Sequence, residues 1–309
     1  MQFLLHLHDD KEYNLKNIKQ DFKEKGIFYT PPELVEMMKS YITVSFDEVY
    51  DPTCGDGGLL KTFDDNIKKY GQEINEHQLK VAENNVNNFI GYLGDTLTNP
   101  GFIEKKFKLI MGNPPFSVKW TPQSDERFIN APTIPTAGRA DFAFLLHILH
   151  YLDDEGQAIV LQFPGVLYRG NREKTLRKYF IEKNYIERVV HIPENTFVDT
   201  KIATALIVFR KNKTTTDIIF EDKETDKEII VPFDKIKEND FNLSVNSYIP
   251  KEEVKITYDP IELQKNARKE MILRLKKDIE TDIMICELEK WDYNDYLSEL
   301  IATIKEYIK

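Results

Sequence analysis

Cysteine is scarce in this chain: Cys54 and Cys286 are the two present, far apart and without metal-type spacing. That excludes a disulfide scaffold and a cysteine-built zinc site, and it fits a reducing, cytoplasmic setting. Long apolar runs are missing too; none approaches the roughly 20 residues that span a bilayer. The opening MQFLLHLHDDKEYN has no basic residue before its apolar stretch and no small-residue cleavage site, so it does not read as a signal peptide. Basic residues fall short of acidic ones, 42 against 52, for a net charge of −10. Such a chain would need its cations gathered on one face, or a partner, to hold a polyanion. Internal repeats and low-complexity blocks are absent. What remains, 309 residues of which 41% are hydrophobic, suffices for one large α/β domain with an appendage, or two modest domains.

From about residue 30 to 210, strand-like and helix-like segments alternate, the pattern of an α/β domain with a largely parallel sheet. Thr30-Pro31-Pro32-Glu33 has a capping-box pattern and predicts a helix from Pro31 to about Ile42. A strand ending at Asp51 follows, then a Gly-rich turn, a helix over Leu59–Tyr70, a strand near Glu73 and a helix over Glu76–Phe89. Further strands are expected at Ile90–Gly94, Phe107–Gly112, Ala158–Phe163, Arg188–Ile192 and Ala203–Arg210, with helices at Ala140–Leu152 and Arg172–Lys183. Beyond Arg210 the composition turns polar, and one or two hairpin strands are expected. From about Ile261 the pattern is helical, with Leu275, Ile279 and Ile283 at i, i+4 spacing. The expected organisation is a short helical segment over 1–25, a catalytic domain over 26–212, a small β-rich extension over 213–255 and a helical tail over 256–309. Residues 117–138, with no clear period, read as a long loop that orders over a bound polymer through Lys119, Trp120 and Arg127.

Two segments carry chemistry. Asp51-Pro52-Thr53-Cys54-Gly55-Asp56-Gly57-Gly58 joins a strand to a predicted helix, where glycines let backbone approach a ligand closely. The spacing is neither the dinucleotide fingerprint nor a P-loop. Glu73 and Asp95 end the next two strands, and Glu73 is placed to accept hydrogen bonds from ribose hydroxyls. Such a turn with two acidic strand ends suits a nucleoside without phosphate, although a turn of this kind also serves as a plain strand-to-helix connection. Asn113-Pro114-Pro115-Phe116 follows the apolar strand FKLIMG. The prolines have no N–H, so their carbonyls are free acceptors. Together with the Asn113 side-chain oxygen, a proline carbonyl can accept both hydrogens of an exocyclic amine and stabilise developing positive charge. Phe116 can stack on a base taken out of a duplex. The competing reading is a rigid loop after a strand. His147 and His150 share a face of an apolar helix, which favours core packing over metal ligation. Cys54 fills space in the turn. No metal site is expected.

Taken together, GIFYTPPELVEMM, DPTCGDGGLL, GQEINEHQLKVAENN, GDTL, LIMGNPPFS, GRADFAFLLHILHYL, GVLYRGNREKTLRKYFIEKNYIERVVHIPENTF and KIATALIVFRK resemble the N6-adenine DNA methylase family. The likeness is strongest to the methyltransferase (M) subunits of type I restriction-modification systems, over roughly residues 26–210. NPPF alone is less specific, since similar motifs occur in protein-glutamine and ribosomal RNA methyltransferases.

The resemblance implies an α/β fold with a seven-stranded, mostly parallel sheet of the S-adenosylmethionine-dependent methyltransferase (Rossmann-like) type, one strand antiparallel, and a C-terminal helical tail. It assigns Phe28, Tyr29, Thr30 and Pro31 to the methionine end of S-adenosylmethionine, and Asp51, Gly55, Asp56 and Gly57 to the cofactor loop. Glu73 becomes the ribose acid and Asp95 the acid that meets the cofactor adenine. Asn113, Pro114, Pro115 and Phe116 form the catalytic motif, and Phe197 is the aromatic on the other face of a flipped adenine. The short stretch before Gly26 departs from the type I pattern, which usually has a helical domain there, so a shortened form is expected. Together with the acidic balance, the small remainder after Arg210 implies that a separate specificity subunit reads double-stranded DNA. The docking element would be the terminal helices, with Met271, Leu275, Ile279, Ile283, Met284, Leu288, Trp291, Leu297, Leu300 and Ile304. The alternatives are a stand-alone adenine methyltransferase and a cofactor-binding subunit without catalysis.

Overall fold

The computed structural model describes residues 30–194, 203–250, 260–290 and 292–306. The chain divides into two compact units, 1–251 and 252–309.

Among the described residues of the first unit, nine strands form one sheet: β1 (Glu48–Asp51), β2 (Lys68–Glu73), β3 (Phe89–Leu93), β4 (Phe107–Gly112), β5 (Leu152–Gln162), β6 (Ile186–Ile192), β7 (Thr204–Arg210), β8 (Ile218–Asp222) and β9 (Lys227–Val231). Their order is β3-β2-β1-β4-β5-β7-β6-β8-β9. The first five are mutually parallel, and β7 runs antiparallel between β5 and β6. The polar hairpin expected after Arg210 is β8–β9, and it extends the same sheet, with β8 parallel to β6. The sheet therefore has nine strands rather than the expected seven. Chain order reverses at β1, whose neighbours are β2 on one side and β4 on the other. A crevice opens at the C-terminal ends of strands at such a switch point.

Both faces are covered. One core packs α4 (Asp141–Tyr151) and α5 (Asn171–Glu182) on Tyr50, Ile110, Val160 and Phe209. The other packs Leu34, Val35 and Met38 of α1 (Pro32–Lys39) and Leu79 of α2 (Glu76–Asn85) on Leu109, Met111, Ile159 and Leu161. Alternation along β4 and β5 sends successive side chains to opposite cores. Helix α4 is apolar on every side and buried throughout Asp141–Leu149. Between β4 and α4 lies the single-turn α3 (Glu126–Ile129), and α6 (Phe233–Glu238) follows β9.

Two local expectations are corrected. The helix expected over Leu59–Tyr70 is reduced to one 3-10 turn at Leu60–Thr62, and Lys68–Glu73 is strand β2. Lys69, polar in sequence, is buried there because its ammonium donates to the carbonyls of Asp64, Ile67 and Asn87 at 2.8–3.2 Å. Gly71 lies against Cys54 and Phe89, where a Cβ would come within 2.7 Å of each. At α1 the cap residue is Pro31, with no capping side chain; the Thr30 hydroxyl is used elsewhere.

The second unit contains α7 (Pro260–Glu289) and α8 (Tyr293–Glu306). The Tyr296 hydroxyl donates to the Asp282 carboxylate, and Cys286 is buried. Met271, Leu275, Met284, Leu288 and Ile304 are exposed. No described helix is long and apolar enough to cross a membrane.

Candidate active site

A cavity of about 260 Å3 lies at the C-terminal ends of β1, β2 and β4. Its lining includes Thr30, Asp51, Thr53, Gly55, Asp56, Glu73, Asp95, Asn113 and Pro115. Residues from five separate sequence segments thus converge on one space.

The turn after β1 is held by its own acids. Asp51 Oδ1 accepts from the Thr53 amide at 2.9 Å, and Asp56 Oδ1 from the Gly58 amide at 2.9 Å. Gly55 and Gly57 have φ of +54° and +80°, the left-handed region that favours glycine. A Cβ on Gly57 would sit 2.4 Å from Val86 Cγ2, so the turn and α2 approach more closely than any side chain allows. Because the expected helix after the turn is absent, no helix N-terminus contributes here. Glu73 closes the turn instead: its Oε2 accepts from the Gly55 amide at 3.0 Å and its Oε1 from the Asn75 amide at 2.9 Å. Asp95 accepts from the Leu97 amide and the Thr98 hydroxyl, both at 2.9 Å.

The lining is strongly acidic, with Asp51, Asp56, Glu73 and Asp95 against one basic side chain, Lys119. Burial pushes the Asp51 carboxyl up to about 7, opposed by the Thr53 amide and reinforced by the Glu73 charge. The same burial raises the Cys54 thiol well above its usual range, so it stays protonated and is no nucleophile. The Thr53 hydroxyl is buried beside the Asp51 carboxylate. An acidic cavity whose carboxylates are held by backbone amides fits a cationic nucleoside such as S-adenosylmethionine.

Asn113-Pro114-Pro115-Phe116 leaves β4 at the cavity rim. Asn113 Nδ2 donates to Thr30 Oγ1 at 3.2 Å, and Oδ1 is the acceptor end of the amide, with no donor to it among the described residues. Strand β4 and the start of α1 therefore set the orientation of one side chain across 83 residues of sequence.

Of the three residues singled out in the loop over 117–138, Trp120 and Arg127 are tied into the fold, while Lys119 is exposed. The Trp120 indole donates to the Thr136 carbonyl at 3.0 Å and stacks obliquely near Phe128, which is fully buried. Arg127 is 6% exposed. Its guanidinium donates to the Thr96 and Leu97 carbonyls at 2.7 Å, and to Asp125. A fourth partner is His147 Nδ1 at 3.1 Å. Since arginine can only donate, His147 carries its proton on Nε2, 3.2 Å from the Tyr50 hydroxyl. Burial, then the Arg127 charge, holds this imidazole well below its usual range and neutral. Arg127 thereby fastens the loop to the backbone just after Asp95, while Val118, Lys119 and Trp120 wall the cavity.

The family profile described as N-6 DNA Methylase matches residues 6–232. This chain belongs to that family. Among N-6 DNA methylase relatives, it is 30% identical to the type I restriction enzyme MpnII methylase subunit of Mycoplasma pneumoniae, over 88% of this chain and 63% of that protein. It is 31% identical to the HindI methylase subunit of Haemophilus influenzae, over 65% of this chain and 50% of that one. The crystal structure of the type I restriction-modification methyltransferase subunit from Streptococcus thermophilus superposes with a TM-score of 0.64 at 28% identity. That match covers 71% of this chain and 58% of the other. The chain thus spans 63% and 50% of the length of these two relatives.

Of the residues singled out from sequence, Thr30, Asp51, Gly55, Asp56, Glu73, Asp95, Asn113 and Pro115 line the one cavity. Pro31 caps α1, Gly57 packs behind the turn and Pro114 is buried in the loop. Phe28, Tyr29, Phe197 and Trp291 lie outside the described residues. Sequence reasoning missed Thr53 and Arg127 as cavity-building groups. An Asp-x-Arg in a polar loop gives no sign that the arginine is buried.

Proposed function

We propose that this chain transfers a methyl group from S-adenosylmethionine to the N6 amine of an adenine in double-stranded DNA, as the modification subunit of a type I-like restriction-modification system. The observation that carries the reading is the Asn113–Pro115 loop at the rim of the acidic cavity, with the Asn113 amide nitrogen held by Thr30. The curated relatives, themselves type I methylase subunits, point the same way.

When bound, the cofactor supplies an electrophilic methyl on a positively charged sulfur. Glu73 would accept from the ribose hydroxyls and Asp95 from the adenine amino group, while Asp51 and Asp56 would offset the positive charge. Asn113 Oδ1 and a proline carbonyl would accept both amine hydrogens of the target base, directing the nitrogen lone pair toward the methyl. The proton lost from the amine after transfer passes to solvent. Phe116 and Phe197 would hold the flipped base between two rings, and Phe28 and Tyr29 would complete the methionine end.

The acidic balance of the chain argues for a specificity subunit that supplies most of the DNA affinity. The apolar side chains exposed on α7 and α8 are the docking surface proposed for it. The test is incorporation of labelled methyl into unmethylated duplex DNA, with and without a co-expressed specificity subunit, by the chain and by a version ending at Lys251. Transfer to adenine N6 that needs the specificity subunit, and is lost with the helices, is the expected result. Transfer by the chain alone would make it a stand-alone enzyme, and cofactor binding without transfer to adenine under any condition would refute the activity.

A further inference from the structure

The proposed catalytic loop is tied down at its far end by a buried carboxylate, Asp141, to which no role has been given so far. Pro114 and Pro115 offer no N–H, so neither can donate a backbone hydrogen bond to hold the loop. Its downstream neighbour Ser117 adopts φ +53°, a conformation rare for a residue with a side chain and held only where surrounding contacts demand it. Those contacts come from Asp141. Its Oδ1 accepts from the Ser117 amide at 2.8 Å, and its Oδ2 lies 3.3 Å from the Ser117 hydroxyl. Asp141 is 1% exposed and stands in the first turn of α4, a helix sunk in the core. Arg169 supplies the balancing charge, donating to Asp141 Oδ2 and to the Ser117 hydroxyl at 3.3 Å each. It is in turn held over the Phe163 ring at 5.0 Å and faces Glu173 at 3.5 Å.

We propose that Asp141 is the positioning residue of the catalytic loop: with Arg169 it clamps Ser117, as Thr30 holds Asn113 at the other end, so that Pro115 and Phe116 face the target base in one fixed geometry. A buried carboxylate with three donors and an adjacent guanidinium is a stiff anchor, since ionised hydrogen bonds are the strong ones. The cofactor acids Asp51, Glu73 and Asp95 sit on other segments and do not depend on this anchor. Loosening the clamp therefore costs turnover and leaves cofactor affinity in place. The effect on turnover rests on the proposed adenine methyltransfer; the clamp itself does not.

The test uses Asp141→Asn, which keeps the shape and removes the charge, and Ser117→Ala at the exposed end of the clamp, which removes the hydroxyl and leaves the fold untouched. Amide hydrogen exchange is followed across 113–120, where the prolines leave Asn113, Phe116 and Ser117 as the reporters of the loop. Cofactor Kd and single-turnover methyl transfer are measured on the full chain in whichever complex supports wild-type activity. For D141N we expect exchange at Phe116 and Ser117 to quicken at least about tenfold. Transfer should slow by about 10- to 100-fold, as small misplacements of reacting groups do, with cofactor Kd unchanged within about twofold. S117A should show the same split at about threefold. Unaltered exchange in both variants overturns the clamp, as does a loss of cofactor affinity that matches the loss of rate. If the wild-type complex transfers no methyl to adenine, the proposed function falls, and the exchange measurement still decides the clamp.

Discussion

Asn113 donates its side-chain N–H to the hydroxyl of Thr30 at 3.2 Å, which turns the amide nitrogen toward the protein. Thr30, read from sequence as a helix cap and by resemblance as a cofactor contact, thus holds the asparagine proposed to be catalytic. Asn113→Ala should slow methyl transfer by about 100-fold or more, the usual effect of removing one charge-stabilising group, while cofactor Kd stays within about twofold. Thr30→Val should slow it by up to about tenfold, the worth of one hydrogen bond. Single-turnover rates with equilibrium dialysis measure both.

Cofactor affinity should depend on pH through Asp51. Burial raises its folded-state carboxyl to about 7, above the roughly 3.9 of an unfolded aspartate. The stability this protonation lends the free protein is complete below the unfolded value and is lost as pH rises through about 7. A cationic ligand needs the ionised form, so binding should tighten about tenfold per unit up to pH 7 and then level off. Calorimetric titration from pH 5.5 to 8.5 measures this; Asp51→Asn should flatten the profile, and a flat wild-type profile would contradict it.

Two glycines of the turn should respond differently to alanine. Gly57→Ala combines a positive φ with a 2.4 Å approach to Val86 and should cost about 3 kcal/mol in urea unfolding. At Gly55 there is open space around the new Cβ, so only the backbone conformation is strained, at about 1 kcal/mol.

Arg127→Met should destabilise the protein by about 3 kcal/mol, because Asp125, His147 and two backbone carbonyls lose their shared donor. Cofactor affinity should fall with it, since the Thr96–Leu97 wall loosens. Lys119→Met, at an exposed position, should leave the unfolding midpoint unchanged. Equal effects of the two would mean that the loop is not anchored through Arg127.

The alternation of FKLIMG, the glycines and acids of the turn after β1, and the strand ends at Glu73 and Asp95 are local signals. In the structure their residues line one cavity. The misreadings arose where a polar residue is satisfied from a distance. Lys69 looks like a surface helix residue until three carbonyls surround its ammonium. Arg127 looks like a DNA contact until carbonyls about thirty residues away claim it. Asp141 stood in a quoted segment, yet nothing in its neighbours reveals that Ser117, 24 positions earlier, is its partner.

By itself, then, the sequence determined the α/β class, the order of the functional segments and the chemistry each can perform, because periodicity, turn residues and side-chain donors are properties of short stretches. Only the tertiary structure decided that the polar hairpin joins the main sheet, that Asp51 is buried enough to titrate near neutrality, and that Val118, Lys119 and Trp120 wall the cavity. Each of these depends on desolvation and on partners brought together across the chain, and neither is encoded in any local window.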